Sequence, residues 1–213
     1  MRLSELHLGG TCSAWSRLGV RCVDESISIA GVNLRCDEST VGISRCVFSL
    51  SGDTSMITGD SDVDGLQLSV LPHSLNSDAH DASTIEGVQF LGIDHVVITT
   101  DDLSRTSAAI ERALGVPCKR IREAGQSVTQ AFHKLENTIL EIVAGPHVKH
   151  VGARWWGFVL TVNNIDRWCD EVGDTVASSP RDAVQPGRRI STVHSSLGLG
   201  VPIAVMSPHV KVS

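Results

Sequence analysis

The sequence contains no tyrosine, and its 213 residues include only four tryptophans and four phenylalanines. Rings this sparse, with no Lys- or Arg-rich run beside them, leave no platform for stacking RNA bases. Positive charge is in deficit too: 18 Lys and Arg against 24 Asp and Glu give a formal net charge of -6. A chain of that sign lacks the electrostatic footprint of a nucleic-acid binder. No apolar stretch approaches the roughly 20 residues that cross a bilayer. The opening "MRLSELHLGGTCSAW" alternates polar and apolar residues early, unlike the unbroken apolar core of a signal peptide. These absences lead to the expectation of a cytoplasmic protein whose partner is a small molecule, with no nucleic acid and no membrane.

Familiar chemical motifs are missing as well. None of the six cysteines forms a C-x-x-C pair, so zinc-ribbon and thioredoxin-like readings have no support. Cysteines so placed read as small buried hydrophobes in a reducing compartment, with a disulfide framework as the lesser alternative. The sequence has no G-x-x-x-x-G-K, H-E-x-x-H, G-x-S-x-G or G-x-G-x-x-G, which removes nucleotide folds and nucleophile elbows. Asp60, Asp62, Asp64 and Gly65 imitate the first half of a calcium loop. The position of its closing bidentate Glu is Leu71, so the stretch reads as an acidic turn leading into the strand "LQLSV".

What is present is one pattern repeated. In residues 91–115, "HVVITT" is a β-branched strand. Asp101 and Asp102 follow as N-cap residues, because their carboxylates accept orphan backbone N–H groups. Leu103, Ile110 and Leu114 then fall on one helical face, and Gly115 suits a left-handed C-cap. The unit recurs in "GFVLTVNNIDRWCDEVG" at 157–173, and in degenerate form in "ELHLGGTCSAWSRLG", with Thr11 as cap. Strand-like runs follow each helix. The polar, turn-rich segment 72–87 reads as a linker.

Residues 90–208 resemble the vicinal oxygen chelate superfamily, which includes glyoxalase I, extradiol dioxygenases, methylmalonyl-CoA epimerase and bleomycin-resistance proteins. The resemblance lies in "IDHVVITTDDLSRTSAAI", "AFHKLENTILEIVA" and "WGFVLTVNNIDRW". It implies an α+β fold in which paired βαβββ modules form a cup of curved mixed sheet with outer helices. The expected organisation is a two-module domain at 88–213, the linker at 72–87, and a divergent βαβββ-like module at 1–71. An odd number of modules raises the expectation of a homodimer in which the N-terminal module pairs across the interface.

The resemblance also implies a divalent metal held by ligands from the first and last strands of each module. His95 and Glu141 match the two ligand positions of the first module. Strand alternation puts His95 with Val97 and Thr99, opposite Val96 and Ile98, and turns Glu141 away from Leu140 and Ile142. An imidazole and a carboxylate suit zinc, iron, manganese, cobalt or nickel. In the second module the matching positions fall on Gly157 and near Ile203 or Ala204, and no Asp or Glu follows Asp182. The ligand set is incomplete, and nothing in the spacing selects His133 or His194 to complete it.

Arg188 or Arg189, after a type II turn at Pro186–Gly187, is a candidate for holding a ligand carboxylate or phosphate. Trp156 is a candidate floor for an apolar pocket. Two functions compete. One is a metal-dependent lyase or isomerase in which Glu141 binds metal or moves a proton. The other is a metal-free small-ligand-binding protein of the resistance or sequestration type.

Overall fold

The computed structural model describes residues 1–50, 59–72 and 82–209. The central part of the expected linker lies outside the described residues.

The C-terminal part is an eight-stranded sheet built by two βαβββ units. The first comprises β7 (Phe90–Thr100), α2 (Leu103–Leu114), β8 (Cys118–Glu123), β9 (Thr129–Lys134) and β10 (Ile139–Ala144). The second comprises β11 (Ala153–Val162), α3 (Ile165–Val172), β12 (Arg181–Asp182), β13 (Arg189–Thr192) and β14 (Ile203–Met206). Within each unit the first and last strands run parallel, β7 with β10 and β11 with β14. The two halves join through antiparallel β7 and β11. The spatial order is β12-β13-β14-β11-β7-β10-β9-β8. This is the expected α+β architecture.

Local chemistry explains the helices. Asp102 accepts from Arg105 N at the start of α2, and Gly115 ends it in the left-handed conformation, φ 65°. Asn164 caps α3 by accepting from Arg167 N. Arg188 N donates to Gln185 O across the turn at Pro186–Gly187, where Gly187 has φ 74°. That positive φ at the third residue is the type II geometry.

The N-terminal segment differs from a single βαβββ unit. Its first half is β1 (Arg2–Leu8), α1 (Cys12–Ser16), β2 (Ser26–Ile29) and β3 (Val32–Cys36). Its second half is β4 (Ile43–Ser49), β5 (Gly59–Val63) and β6 (Leu66–Leu71). The order is β2-β3-β1-β4-β6-β5, with β1 parallel to β3, β4 parallel to β6, and β1 antiparallel to β4. The connectivity of the large sheet is thus repeated in shortened form. The segment has two halves of its own, which takes away the reason for seeking a missing module in a second chain.

One core of buried residues runs through both sheets. Trp15 of α1 stacks on Phe158 of β11 with centroids 6.2 Å apart. The Trp168 indole N–H donates to Leu18 O at 2.9 Å, and that of Trp155 donates to Gln67 O at 3.2 Å. Burying indoles with a satisfied N–H combines apolar area with directional contact.

Two expectations are settled here. Cys12 and Cys22 form a disulfide, Cα atoms 5.5 Å apart, so these two are not free thiols. The five-residue α1 lets the chain turn back on itself, which spacing alone does not reveal. Cys36 and Cys46 are buried as expected. Burial pushes the Cys36 thiol up to about 11 and raises that of Cys46. The aspartates of the calcium-like stretch each have separate partners. Asp60 accepts from Ser69, Asp62 from Gly65 N and Gln67, and Asp64 from Arg105 and Thr106. The stretch is β5 and the tight turn into β6.

Candidate functional site

β7 and β10 are parallel neighbours, with Glu141 opposite Val97 and Ile139 opposite His95. Alternation therefore puts His95, Val97, Glu141 and Val143 on one face, while Val96, Ile98, Leu140 and Ile142 are buried on the other. The first face lines a cavity of about 840 Å³. Its far wall comes from the second unit, through Val159, Ile190, Thr192, Ile203 and Ala204. The loop 198–202 closes one side.

At one end of the cavity His95 Nε2 stands 3.3 Å from Glu141 Oε2, both side chains largely shielded from solvent. The imidazole is fixed from behind: its Nδ1 donates to Asp94 Oδ2 at 2.8 Å. Asp94 is in turn held by Arg188, whose guanidinium donates to Asp94 Oδ1 at 2.6 Å and to Ser207 O at 2.8 Å. The Arg188 side chain is only 1% exposed. On the other side Gln130 donates to Glu141 Oε1, and Arg122 donates to Gln130. With Nδ1 committed as a donor, the approach of Nε2 to Oε2 requires a proton between them, on the ring or on the carboxyl. Two bare acceptors would repel.

The environment treats the two carboxyls differently. Burial pushes Asp94 up, but the hydrogen bonds from His95 and Arg188, and their charge, bring it well below the usual carboxylate range. Burial raises the Glu141 carboxyl, and the nearby His95 and Arg122 only partly offset this. Asp94 is thus a fixed anion, and Glu141 is the group inclined to hold a proton.

Two β-bulges shape this site. The pairing of β7 with β11 sets His95 opposite Val159 and then Ile93 opposite Leu160, skipping Asp94. It sets Trp155 opposite Ile98 and then Gly157 opposite Val97, skipping Trp156. A bulge residue leaves the regular alternation. Asp94 can therefore reach the His95 ring beside it, and Trp156 lines the cavity while Trp155 is buried behind the sheet. Asp94 was not among the sequence candidates. In an unbroken strand it would point away from His95.

The remaining candidates separate. Trp156 lies at the cavity, half-exposed. Arg188 supports Asp94 from behind and Arg189 points outward to Asp166 of α3 and to Pro180 O, so neither lines the cavity. Strand alternation gives the reason: Arg189 shares a face with Ser191, behind the sheet, and Arg188 is spent neutralising Asp94. His133 is buried behind the sheet, its Nδ1 donating to Val116 O and its Nε2 accepting from Ser107. His194 lies at the cavity and donates to Asp174 O.

The donor set does not fit a resident divalent metal. Among the described residues no group of three or more His, Cys, Asp or Glu side chains could hold one. In the second unit, Gly157 and Ala204 occupy the places that correspond to His95 and Glu141. A Cβ on Gly157 would lie 2.3 Å from Pro202 O, so the backbone of the 198–202 loop fills the space a ligand side chain would need. Two ligands leave a divalent ion short of the three that catalytic zinc sites usually supply.

Residues 92–186 match the model of the Glyoxalase/Bleomycin resistance protein/Dioxygenase superfamily. Solved structures of similar fold include methylmalonyl-CoA epimerase from Mycobacterium tuberculosis, 19% identical, covering 57% of this chain and 91% of the epimerase, TM-score 0.47. A Streptomyces coelicolor methylmalonyl-CoA epimerase in complex with 2-nitronate-propionyl-CoA is 18% identical over 56% of this chain and 95% of its own, TM-score 0.45. A hypothetical protein from Bacillus halodurans C-125 is 13% identical over 60% and 99%, TM-score 0.47. No curated protein matches the sequence. Among the described residues no helix is long and apolar enough to cross a membrane.

Proposed function

We propose that this is a metal-independent small-molecule-binding protein, in which the cup of the C-terminal sheet holds a small organic ligand and the His95–Glu141 pair forms its polar end. The observation that carries this reading is the self-sufficiency of the pair. Both nitrogens of His95 and both oxygens of Glu141 already face protein partners, and the other two ligand places are Gly157 and Ala204. The cavity, about 840 Å³, falls within the roughly 300–1,000 Å³ of small-ligand sites. A second reading, a metal-dependent lyase or isomerase, is favoured only by the survival of His95 and Glu141 at two ligand places.

Metal analysis of protein purified without chelators tests the choice. We expect no stoichiometric metal in the parent chain and no change on His95→Ala. One equivalent of metal in the parent, lost in His95→Ala, would establish the metal-dependent reading instead.

A further inference from the structure

Building on the reading of the cup as a ligand site, we propose that its ligand is an uncharged, largely apolar aromatic molecule carrying one hydroxyl or carbonyl group, and that the site rejects anions. The first support is an absence at the cavity wall. The polar side chains there are those of His95, Glu141, Thr192, His194 and Ser195, with no Lys or Arg among the described residues. Three arginines close to the pair are taken: Arg188 by Asp94 and Ser207 O, Arg189 by Asp166 behind the sheet, Arg122 by Gln130. A carboxylate or phosphate entering the cup would lose its water and face Glu141 without a guanidinium or ammonium to replace it. Burying an unpaired charge in this way is strongly unfavourable.

A cation fares little better, because Glu141 is already matched by His95 and Gln130. The rest of the wall is hydrocarbon, from Val97, Val143, Val159, Val201 and Ile203. Trp156, 51% exposed and set out of line by its bulge, lends a flat ring to one side of the cavity. Offset stacking on such a ring favours a planar partner. A hydroxyl that enters between His95 and Glu141 can accept the proton they share and donate its own to the other partner, whereas a carbonyl oxygen can only accept that proton.

Three probes of one shape separate these chemistries: 2-naphthol, 2-naphthoate and 2-naphthylmethylammonium. Each is titrated into the full chain at pH 7 by calorimetry, with tryptophan fluorescence as a second readout. We expect 2-naphthol to bind at least tenfold more tightly than either ion. We also expect Ala204→Trp, which fills the cup, to abolish binding; Val159→Phe serves where the first variant does not fold. Naphthoate or the ammonium binding as tightly as naphthol, and lost in the filled-cup variant, would overturn the ligand class while upholding the cup as a binding site. No binding of any probe, or binding untouched by filling the cup, would overturn the binding reading itself.

Discussion

Asp94→Ala strikes the site where its parts depend on one another most. The substitution removes the carboxylate that faces the Arg188 guanidinium at 2.6 Å, and Arg188 is 1% exposed. The buried cation would then keep only Ser207 O and His209 as partners. Breaking a buried pair from one side costs about 3–5 kcal/mol, whereas replacing both partners by apolar groups of similar size is often neutral. Asp94 itself is 13% exposed, which places the expected loss near the lower end of that range. At about 2–4 °C per kcal/mol for a chain of this size, a loss of about 3 kcal/mol lowers the melting temperature by roughly 6–12 °C.

Circular dichroism melts and urea unfolding read the change directly. The double variant Asp94→Leu with Arg188→Met should recover most of it, since neither charge of the pair then remains. The acid limb supplies an independent check. The folded-state pKa of Asp94 is depressed, so its contribution is fully present above the ordinary carboxylate value of about 4 and fades as pH falls toward the folded value. The gap between parent and Asp94→Ala should therefore narrow below about pH 4. A loss below about 1 kcal/mol, typical of an exposed pair, would refute the account of Arg188 as a buried cation. A double variant as unstable as the single one would refute it equally.

Other consequences can be measured separately. The Glu141 carboxyl is raised by burial, so the folded chain binds its proton more tightly than the unfolded one. Its contribution is present below the ordinary carboxylate pKa and lost as pH rises through the folded value. Parent stability relative to Glu141→Gln should thus fall between acid and neutral pH, and a flat difference in urea midpoints across that window would count against the burial. Gly157→Ala should destabilise by about 1–3 kcal/mol, as overpacking does, because its Cβ would meet Pro202 O at 2.3 Å; an unchanged melting temperature would show the 198–202 loop to be free to move. Ala204→Glu supplies a third donor to the cup and should confer zinc uptake that Gly157→His cannot, as read by competition with a colorimetric chelator; equal uptake by both variants would contradict the steric argument.

Much of this architecture is visible in the residues. The two helices of the large sheet announce themselves through Asp102, Asn164, Gly115 and Gly173, because caps are local chemistry and need no tertiary context. Strand alternation is also local, so the shared face of His95, Val97 and Glu141 could be read directly. What escaped was whatever depends on a departure from alternation. Asp94 is skipped by the β7–β11 pairing, and no property of "IDHVV" marks a bulge; Trp156, skipped likewise, was a candidate for its ring and not for its place in the strand. The two arginines show the same limit. Their alternation placed one on each face, but only the assembled structure reveals that the inner one is spent on Asp94. The Cys12–Cys22 bond likewise depends on a helix of five residues turning back, where the repeat pattern leads one to expect a longer one.

The N-terminal sheet acquires a role once the cavity wall is considered as a mechanical object. Its loop 198–202 contains Gly198, Gly200 and Pro202 and would be poorly held by the large sheet alone. The N-terminal segment grips it. Gly42 N donates to Gly200 O at 2.8 Å, and a Cβ on Gly10 would lie 2.7 Å from Leu199 O, so two backbones meet there without room for a side chain. On the far side of the loop, Pro202 O presses on Gly157 and receives the N–H of Phe158, the ring that stacks on Trp15. The shortened sheet therefore touches the cup at both ends of one wall, through the 9–10 and 40–42 turns and through α1. That continuity ties the wall to both sheets, and under the proposed binding reading a wall held in this way favours discrimination by shape and charge.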